Sequence, residues 1–151
     1  MTQAPLTDPA VGPISDPLQA VELGRASLFL QAVGLQFDLI TATEVRAHLE
    51  VTEEHHTPWG ITHGGLYATV IESVTSVGAS FAVQDKGMFA VGVNNQTDFL
   101  RPHVRGRLDV VSTPIQQGRT LQLWSAELTN SAGKAIARGQ VRLFNQALPD
   151  A

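Results

Sequence analysis

The sequence predicts an α+β fold in which one long apolar helix lies against an antiparallel sheet of about six strands. A run of about 20 residues from Gly64 carries apolar side chains at helical spacing. Two strand-like segments precede this run, and four more follow it with short turn sequences between them. A helix wrapped by a sheet covers the apolar faces of both elements.

The elements before the long helix are predicted from turn and capping residues. Pro after Asp is typical of a helix start, and Gly is typical of a helix stop. Alternation of apolar and polar residues indicates strands, and a Pro and a Gly mark the loop that follows them. The predicted elements are a helix from Asp16-Pro17 to about Ala32 with Gly34 as its stop, strands 35–40 and 45–51 joined by the turn TATE (41–44), and a loop over 55–62.

The long helix is predicted from Gly64 to Val83. Leu66, Val70, Val74, Val77 and Phe81 recur at helical spacing, and the run is too long for an ordinary strand. Its N-terminal cap would be Thr62 or His63. Because apolar residues occupy nearly every side, we expect the helix to be buried nearly all round.

The four later strands are predicted from alternating segments and turn sequences. Lys86-Gly87 marks the turn after the helix, and QQGR and NSAGK separate the later strands. The predicted strands are Phe89–Leu100, Gly106–Gln116, Arg119–Thr129 and Ala135–Phe144.

Length and composition limit the class of protein. At 151 residues the default is one domain; we expect a flexible tail over 1–15, rich in Pro and small residues, and a single domain over 16–151. The absence of cysteine excludes disulfides, thiolate catalysis and Cys-ligated zinc. The N-terminus lacks the basic and apolar regions of a secretory signal, so we expect a cytoplasmic protein.

Two further classes of partner are disfavoured. The net charge of −4 argues against a general nucleic-acid binder. Residues 64–84 are long enough to span a bilayer, but Glu72 lies near the middle, with five Ser/Thr and three Gly around it. A charge at that depth is costly, so we predict no membrane span.

Glu72 is the candidate catalytic acid. It is the only Asp, Glu, Lys or Arg between Glu54 and Asp85. An ordinary structural role, in which it pairs with a buried polar group from elsewhere in the fold, is one interpretation. A carboxylate kept in an apolar cleft is also a candidate base or nucleophile.

His63-Gly64-Gly65 places backbone donors beside this acid in the sequence. The first amides of a helix have no intrahelical acceptor, and Gly64 and Gly65 let a ligand approach the backbone closely. Such amides can stabilise an oxyanion. From Gly64 to Glu72 is roughly 12 Å of helix rise, so both groups can act on one bond only if they come from different chains. We therefore expect a two-fold dimer with two composite sites.

Ser76 and His63, which lie near the acid and the backbone donors, have two interpretations each. Ser76 lies on the same helix face as Glu72 and would orient the carboxylate or a water, or simply bond back to a helix carbonyl. His63 would act near the reacting carbonyl or cap the helix, and capping is the preferred interpretation.

Three segments resemble the hotdog-fold thioesterases. HGGLYATVIES (63–73), KGMFAVGVNNQTDFLRP (86–102) and QQGRT (116–120) are similar to the group that contains phenylacetate-degradation thioesterases and one branch of 4-hydroxybenzoyl-CoA thioesterases. The resemblance covers about residues 34–146. It implies hydrolysis of an acyl-CoA thioester, with an aromatic acyl group, by a homodimer that assembles further as a dimer of dimers. It implies no cofactor beyond the coenzyme A of the substrate.

The resemblance also assigns roles to residues. Gly64 supplies the N–H that polarises the thioester carbonyl, Glu72 is general base or nucleophile, and Ser76 helps position water. Several relatives carry Asn or Gln six residues before the motif His, where this chain has Thr57, so that role is either weakened or taken over by Thr57, His56 or a water. Substrate contacts fall on Arg101, Arg119 and Thr120 for coenzyme A, with Trp59, Phe81 and Phe89 as candidates for the acyl pocket or as plain core.

The basic residues are concentrated in the C-terminal third. Residues 1–100 hold three basic and eleven acidic residues, whereas 101–151 hold seven basic and three acidic. This pattern fits solvated strand faces, and it also fits a site for an anionic ligand such as the phosphates of coenzyme A.

The sequence gives little support to a metal site, a serine-hydrolase elbow or a phosphate-binding loop. EEHH (53–56) carries potential metal ligands, but adjacent residues of an extended segment point to opposite faces, so we predict no metal site. No G-x-S-x-G elbow and no phosphate-binding glycine pattern occur. A hydratase or dehydratase on the same fold, and an acyl-CoA-binding module without catalysis, remain as alternatives.

Overall fold

The computed structural model describes residues 27–148. The predicted tail and the predicted helix start at Asp16-Pro17 lie outside that range. A short helix, α1, spans Leu28–Val33, and Ser27 caps it by accepting a hydrogen bond from the Leu30 N–H at 3.2 Å. Ser27 is extended, so the prediction of one helix running through this residue is wrong. Gly34 ends α1 at φ 77°, as predicted.

The described chain forms one six-stranded antiparallel sheet with a long helix, which confirms the α+β prediction. The strands lie in the order β1-β2-β4-β5-β6-β3. Their bounds, with those of the long helix α2, are β1 Gln36–Ile40, β2 Val45–Val51, α2 Gly64–Phe81, β3 Met88–Phe99, β4 Gly106–Gln117, β5 Leu121–Asn130 and β6 Ala135–Ala147.

One face of α2 packs on the sheet. Its buried residues recur at three- and four-residue intervals: Leu66, Tyr67, Val70, Ile71, Val74, Thr75, Gly78 and Ala79. The helix approaches the sheet closely at Gly78, where an added Cβ would lie 2.6 Å from the Trp124 ring. The opposite face, which includes Glu72 and Ser76, is only half-buried. The prediction of burial all round therefore does not hold within a single chain.

Strand β3 lies at one edge of the sheet and pairs only with β6 in the described residues. A bulge between Gly92 and Asn94 interrupts their register. After this bulge, Asn95, Thr97 and Phe99 alternate with residues that point away from α2. The long free edge of β3 and its helix-facing side therefore lie beside the exposed part of α2.

A buried amide network joins the far end of α2 to the turn between β4 and β5. Gln122 donates from Nε2 to the Ala79 carbonyl at 2.9 Å and to Asn145 Oδ1 at 2.7 Å. Asn145 donates from Nδ2 to the carbonyls of Gly118 and Arg119, both at 3.0 Å, and from its backbone N–H to the Thr120 carbonyl at 2.8 Å. One side chain thus fixes this turn.

Two strand boundaries differ from prediction by more than one residue. The predicted fifth strand starts at Arg119, but β5 starts at Leu121, so Arg119 and Thr120 lie in the turn that Asn145 holds. Strand β6 continues three residues past the predicted end at Phe144. In the part of the chain that the structure describes, no helix has the length and apolar character needed to cross a membrane.

Candidate active site

Glu72 lies midway along α2, half-buried, on the side that faces β3. Its Oε2 accepts a hydrogen bond from Asn95 Nδ2 at 3.2 Å. Its Oε1 lies 3.5 Å from Ser76 Oγ, which is long for a hydrogen bond. Of the two interpretations of Ser76, the structure shows this contact with the carboxylate. Glu72 has no ion-pair partner within residues 27–148. A neutral amide therefore holds the carboxylate, and its charge is not cancelled.

Gly92 provides the space that the carboxylate occupies. An added Cβ at this position would overlap Glu72 Oε1. The backbone of β3 can therefore approach the carboxylate only because residue 92 has no side chain. This close approach occurs at the β3 bulge, so the bulge lies next to the Glu72 carboxylate.

The start of α2 presents one free backbone donor. His63 is the cap, and its Nδ1 accepts from the Gly65 N–H at 2.9 Å. The Leu66 N–H bonds to the His63 carbonyl at 2.9 Å. Within the described residues the Gly64 N–H meets no acceptor. Because His63 Nδ1 accepts from the Gly65 N–H, His63 caps the helix in this structure, and the Gly64 N–H is left without an acceptor.

The Phe99 ring packs against Gly64. A Cβ at residue 64 would overlap the Phe99 ring, and Phe99 packs edge-on against Tyr67 with ring centroids 5.7 Å apart. Phe99 is exposed, whereas Tyr67 is buried. Burial raises the pKa of the Tyr67 hydroxyl above its usual value, and the Thr62 side chain and His103 backbone oppose that shift. The exposed Phe99 ring therefore lies next to the residue that carries the free donor.

The loop before α2 carries Thr57 and Trp59. The Thr57 hydroxyl accepts from the Trp59 N–H at 3.3 Å, and the Thr57 N–H bonds to the Ile61 carbonyl at 2.7 Å. Thr57 is therefore engaged in a tight turn. Trp59 is 84% exposed, so it is not a core residue of the single chain. Its contact with an acyl group stays a prediction. Phe81 packs against the core, and Phe89 is half-buried.

The predicted coenzyme A residues lie at the surface. Arg101 donates from Nη1 to the Ala135 carbonyl at 2.7 Å. Arg119 and Thr120 are exposed on the β4–β5 turn, and Arg119 has no ion pair among the described residues. Three other arginines of the C-terminal third are paired with acids, which favours the solvated-face interpretation for them: Arg105 with Glu53, Arg107 with Asp109, and Arg138 with Glu127.

The EEHH segment has a different conformation from the one predicted. Glu53–His55 form a 3₁₀ turn, not an extended segment. His55 Nε2 bonds to the Val33 carbonyl at 3.0 Å, and His56 Nε2 to the Val104 carbonyl at 2.6 Å. Both imidazoles therefore stabilise the loop before α2 by hydrogen bonds to backbone carbonyls. Among residues 27–148 no group of three or more His, Cys, Asp or Glu side chains is arranged to hold a metal ion.

The residue-by-residue search of the sequence missed Asn95, Thr97 and Gly92. They lie 20 or more residues after Glu72 and reach it only through the sheet register. One signal was available, since Asn95, Thr97 and Phe99 alternate in a strand and so share a face. Without the position of the strand in the sheet, that face could not be assigned to the acid.

The family model of the thioesterase superfamily matches residues 60–137, which include α2, Glu72 and Gly64. This match covers more than half of the chain. The chain belongs to the thioesterase superfamily. The predicted hotdog fold and the predicted class of enzyme, a thioester hydrolase, are thereby confirmed.

Relatives of known sequence and structure agree with this membership. Acyl-coenzyme A thioesterase 13 of Homo sapiens is 34% identical over 121 residues, 78% of each chain. The solved structure of Rv1847/MT1895 from Mycobacterium tuberculosis is 38% identical, with a TM-score of 0.79 over 82% of this chain and 100% of that one. The crystal structure of AziG from S. sahachiroi is 39% identical, with a TM-score of 0.78 over 81% of this chain and 98% of that one.

Proposed function

We propose that this thioesterase hydrolyses acyl-CoA thioesters to the free acid and coenzyme A. The observation that carries the proposal is the pairing of two groups in a thioesterase fold. Glu72 is half-buried and has no ion-pair partner among the described residues, and the Gly64 N–H there has no acceptor. The first can attack or activate water, and the second can stabilise the oxyanion that forms.

Two routes use these groups. In the first, Glu72 takes a proton from water while the water oxygen bonds to the thioester carbon. In the second, the Glu72 carboxylate bonds to that carbon directly, and water then hydrolyses the resulting anhydride. In both, the carbonyl oxygen becomes negative beside the Gly64 N–H, the C–S bond breaks, and the thiolate of coenzyme A leaves and is protonated. Label found in Glu72 after single-turnover hydrolysis in ¹⁸O-water would establish the second route, since water that attacks the Glu72 carbon of the anhydride leaves its oxygen there.

The site is proposed to be shared between two subunits. Roughly 12 Å of helix rise separates Gly64 from Glu72 in one chain. A two-fold axis that sets two copies of α2 antiparallel would bring Glu72 of one subunit to the Gly64 N–H of the other. The free edge of β3 and the exposed apolar side chains of Phe99, Leu100 and Trp59 support such a contact. A dimer of dimers is the assembly we propose.

The acyl group is proposed to be aromatic, such as hydroxybenzoyl or phenylacetyl. The Phe99 ring, which is exposed and lies next to Gly64, favours a flat acyl group by stacking. A relative in Arabidopsis thaliana, 33% identical over 100 residues, is named 1,4-dihydroxy-2-naphthoyl-CoA thioesterase 2. The phosphates of coenzyme A would meet Arg119 and Thr120 on their turn, with Arg101 as a further cation.

The test is release of free thiol from aromatic, short-chain and long-chain acyl-CoAs by wild-type enzyme and by Glu72→Gln. The substitution keeps the size of the side chain but removes its charge and basicity, so kcat should fall by about 10²–10⁴-fold. Ser73→Ala is the matched control, because Ser73 is the next residue and bonds only to the Thr69 carbonyl, at 2.7 Å. Full activity in Glu72→Gln would contradict the mechanism. Thiol release from none of these esters, with enoyl absorbance from a 3-hydroxyacyl-CoA, would instead favour a dehydratase.

A further inference from the structure

Asn95 makes a complete set of hydrogen bonds around Glu72. Its Nδ2 donates to Glu72 Oε2 at 3.2 Å and to the Ala68 carbonyl at 3.0 Å. Its Oδ1 accepts from the Thr97 hydroxyl at 2.6 Å. Both N–H donors and the carbonyl oxygen of the amide are therefore used, all within the helix-facing side of β3.

The chemistry of these partners fixes the orientation of the amide. A carboxylate and a backbone carbonyl can only accept hydrogen bonds, so the NH₂ group of Asn95 must face them. The oxygen then faces Thr97, whose hydroxyl acts as the donor. A flipped amide would set its oxygen against two acceptors. Thr97 is itself confined, because an added Cβ at Gly139 would lie 2.7 Å from its Oγ1.

We infer that Asn95, locked by Thr97, is a positioning residue that holds Glu72 in its reactive orientation. Asn95 donates its hydrogen bond to Oε2 of the carboxylate. The other oxygen, Oε1, lies beside Gly92 and Ser76, and it is the one that attacks the thioester or takes the proton from water. Ala68 lies one helical turn before Glu72, so the amide ties the carboxylate to its own helix. This inference rests on the proposed role of Glu72 and adds to it which oxygen reacts and what orients it.

The primary test compares Asn95→Leu with wild type, at equal dimer content and with the thermal midpoint recorded. Leu has nearly the same size but cannot donate to the carboxylate. Because a small displacement of a reacting group costs about 10²-fold in rate, kcat should fall by about 10–100-fold. KM should stay close to wild type, since Asn95 lies at the acid and not at the coenzyme A residues. A kcat equal to wild type, with Glu72→Gln inactive, would overturn the inference.

If Asn95→Leu does not fold, a second pair of variants tests the inference instead. Thr97→Val removes the donor to Oδ1 and keeps the shape, whereas Thr97→Ser keeps the donor. Loss of one such hydrogen bond should lower kcat by about fivefold in Thr97→Val, and Thr97→Ser should behave as wild type. Equal losses in both variants would overturn the locking role. Where Asn95→Leu does fold, adding Thr97→Val to it should have no further effect on kcat.

Failure of the inference and failure of the proposed function give different results. If Glu72→Gln keeps full activity, the proposed mechanism fails and Asn95 has no acid to orient. If Glu72→Gln is inactive while the Asn95 and Thr97 variants turn over normally, only the positioning role is overturned.

Discussion

Gly64 combines two properties that no other residue at the start of α2 combines. It is the first helical residue, so its N–H has no intrahelical acceptor, and the His63 ring engages the next amide instead. It also lies under the Phe99 ring, where any side chain would collide. The glycine is thus required for space, and its N–H is available for chemistry.

Replacing Gly64 with Pro tests this donor. Pro is well tolerated at the first helical position, and His63 already has the extended conformation, φ −66° and ψ 129°, that a residue before Pro requires. Phe99→Ala is introduced first to make room for the new ring. Within that background, Gly64→Pro should lower kcat by about 10²–10³-fold, the usual cost of losing one oxyanion donor.

Gly64→Ala in the same Phe99→Ala background is the control, because it adds the Cβ and keeps the N–H. It should retain the kcat of Phe99→Ala. If the Pro and Ala variants lose activity equally, the effect is steric and the donor role of Gly64 is contradicted. The measurement is thiol release under saturating substrate.

Tyr67 offers a test of burial beside the site, since it is the only tyrosine in the chain. Burial raises its pKa, so tyrosinate absorbance should develop at higher pH in the folded protein than in urea. The unfolded state then releases this proton more readily, so the free energy of unfolding should fall as pH rises above about 10. Tyr67→Phe should remove that decrease. Identical titration of folded and unfolded protein would contradict the burial of this hydroxyl.

At the scale of elements, the β4–β5 turn depends on one buried amide. Asn145→Ala removes the donor to the carbonyls of Gly118 and Arg119 and leaves one of the two Gln122 Nε2 hydrogen bonds without its acceptor, so the free energy of unfolding should fall by about 1–3 kcal/mol. Gln146→Ala is the matched control, because Gln146 is the next residue on β6 and is exposed; it should change stability by less than about 0.5 kcal/mol. Urea denaturation measures the free energy of unfolding of both variants. Equal decreases would contradict the role of Asn145 in stabilising the turn.

The helix and most strands could be predicted because their signals are local. α2 follows from apolar spacing after His63-Gly64, and β2 from strict alternation. The missed start of β5 depends on a distant residue. The start of β5 shifts past Arg119 because Asn145, 26 residues later, holds that carbonyl. The prediction of one helix running through residue 27 failed for a local reason, because the extended Ser27 caps the start of α1 with its side chain.

The same distinction between local signals and distant contacts applies to the residues of the candidate site. Glu72 and Gly64 stand out in the sequence because an isolated acid and a Gly pair are conspicuous in an apolar helix. Asn95 and Thr97 do not stand out, since polar residues are ordinary in an edge strand. Only the β3–β6 register and the position of β3 beside α2 bring them to the carboxylate.

At the scale of the whole molecule, a single chain leaves its two reactive groups apart. About eight residues of helix separate the Gly64 donor from Glu72, and the face of α2 between them is half-buried. The free edge of β3 borders that same face. In the proposed dimer a second copy would cover both features and complete the site, so we predict that activity requires the dimer.

Subunit complementation tests this claim most directly. Glu72→Gln chains and Gly64→Pro/Phe99→Ala chains, each inactive alone, are unfolded, mixed in equal amounts and refolded, and thiol release is measured. In each mixed dimer one site combines an intact Gly64 from the first chain with an intact Glu72 from the second, so random pairing should restore about a quarter of wild-type activity. No recovery, with mixed dimers shown to form, would mean that both groups must come from one chain and would contradict the shared site.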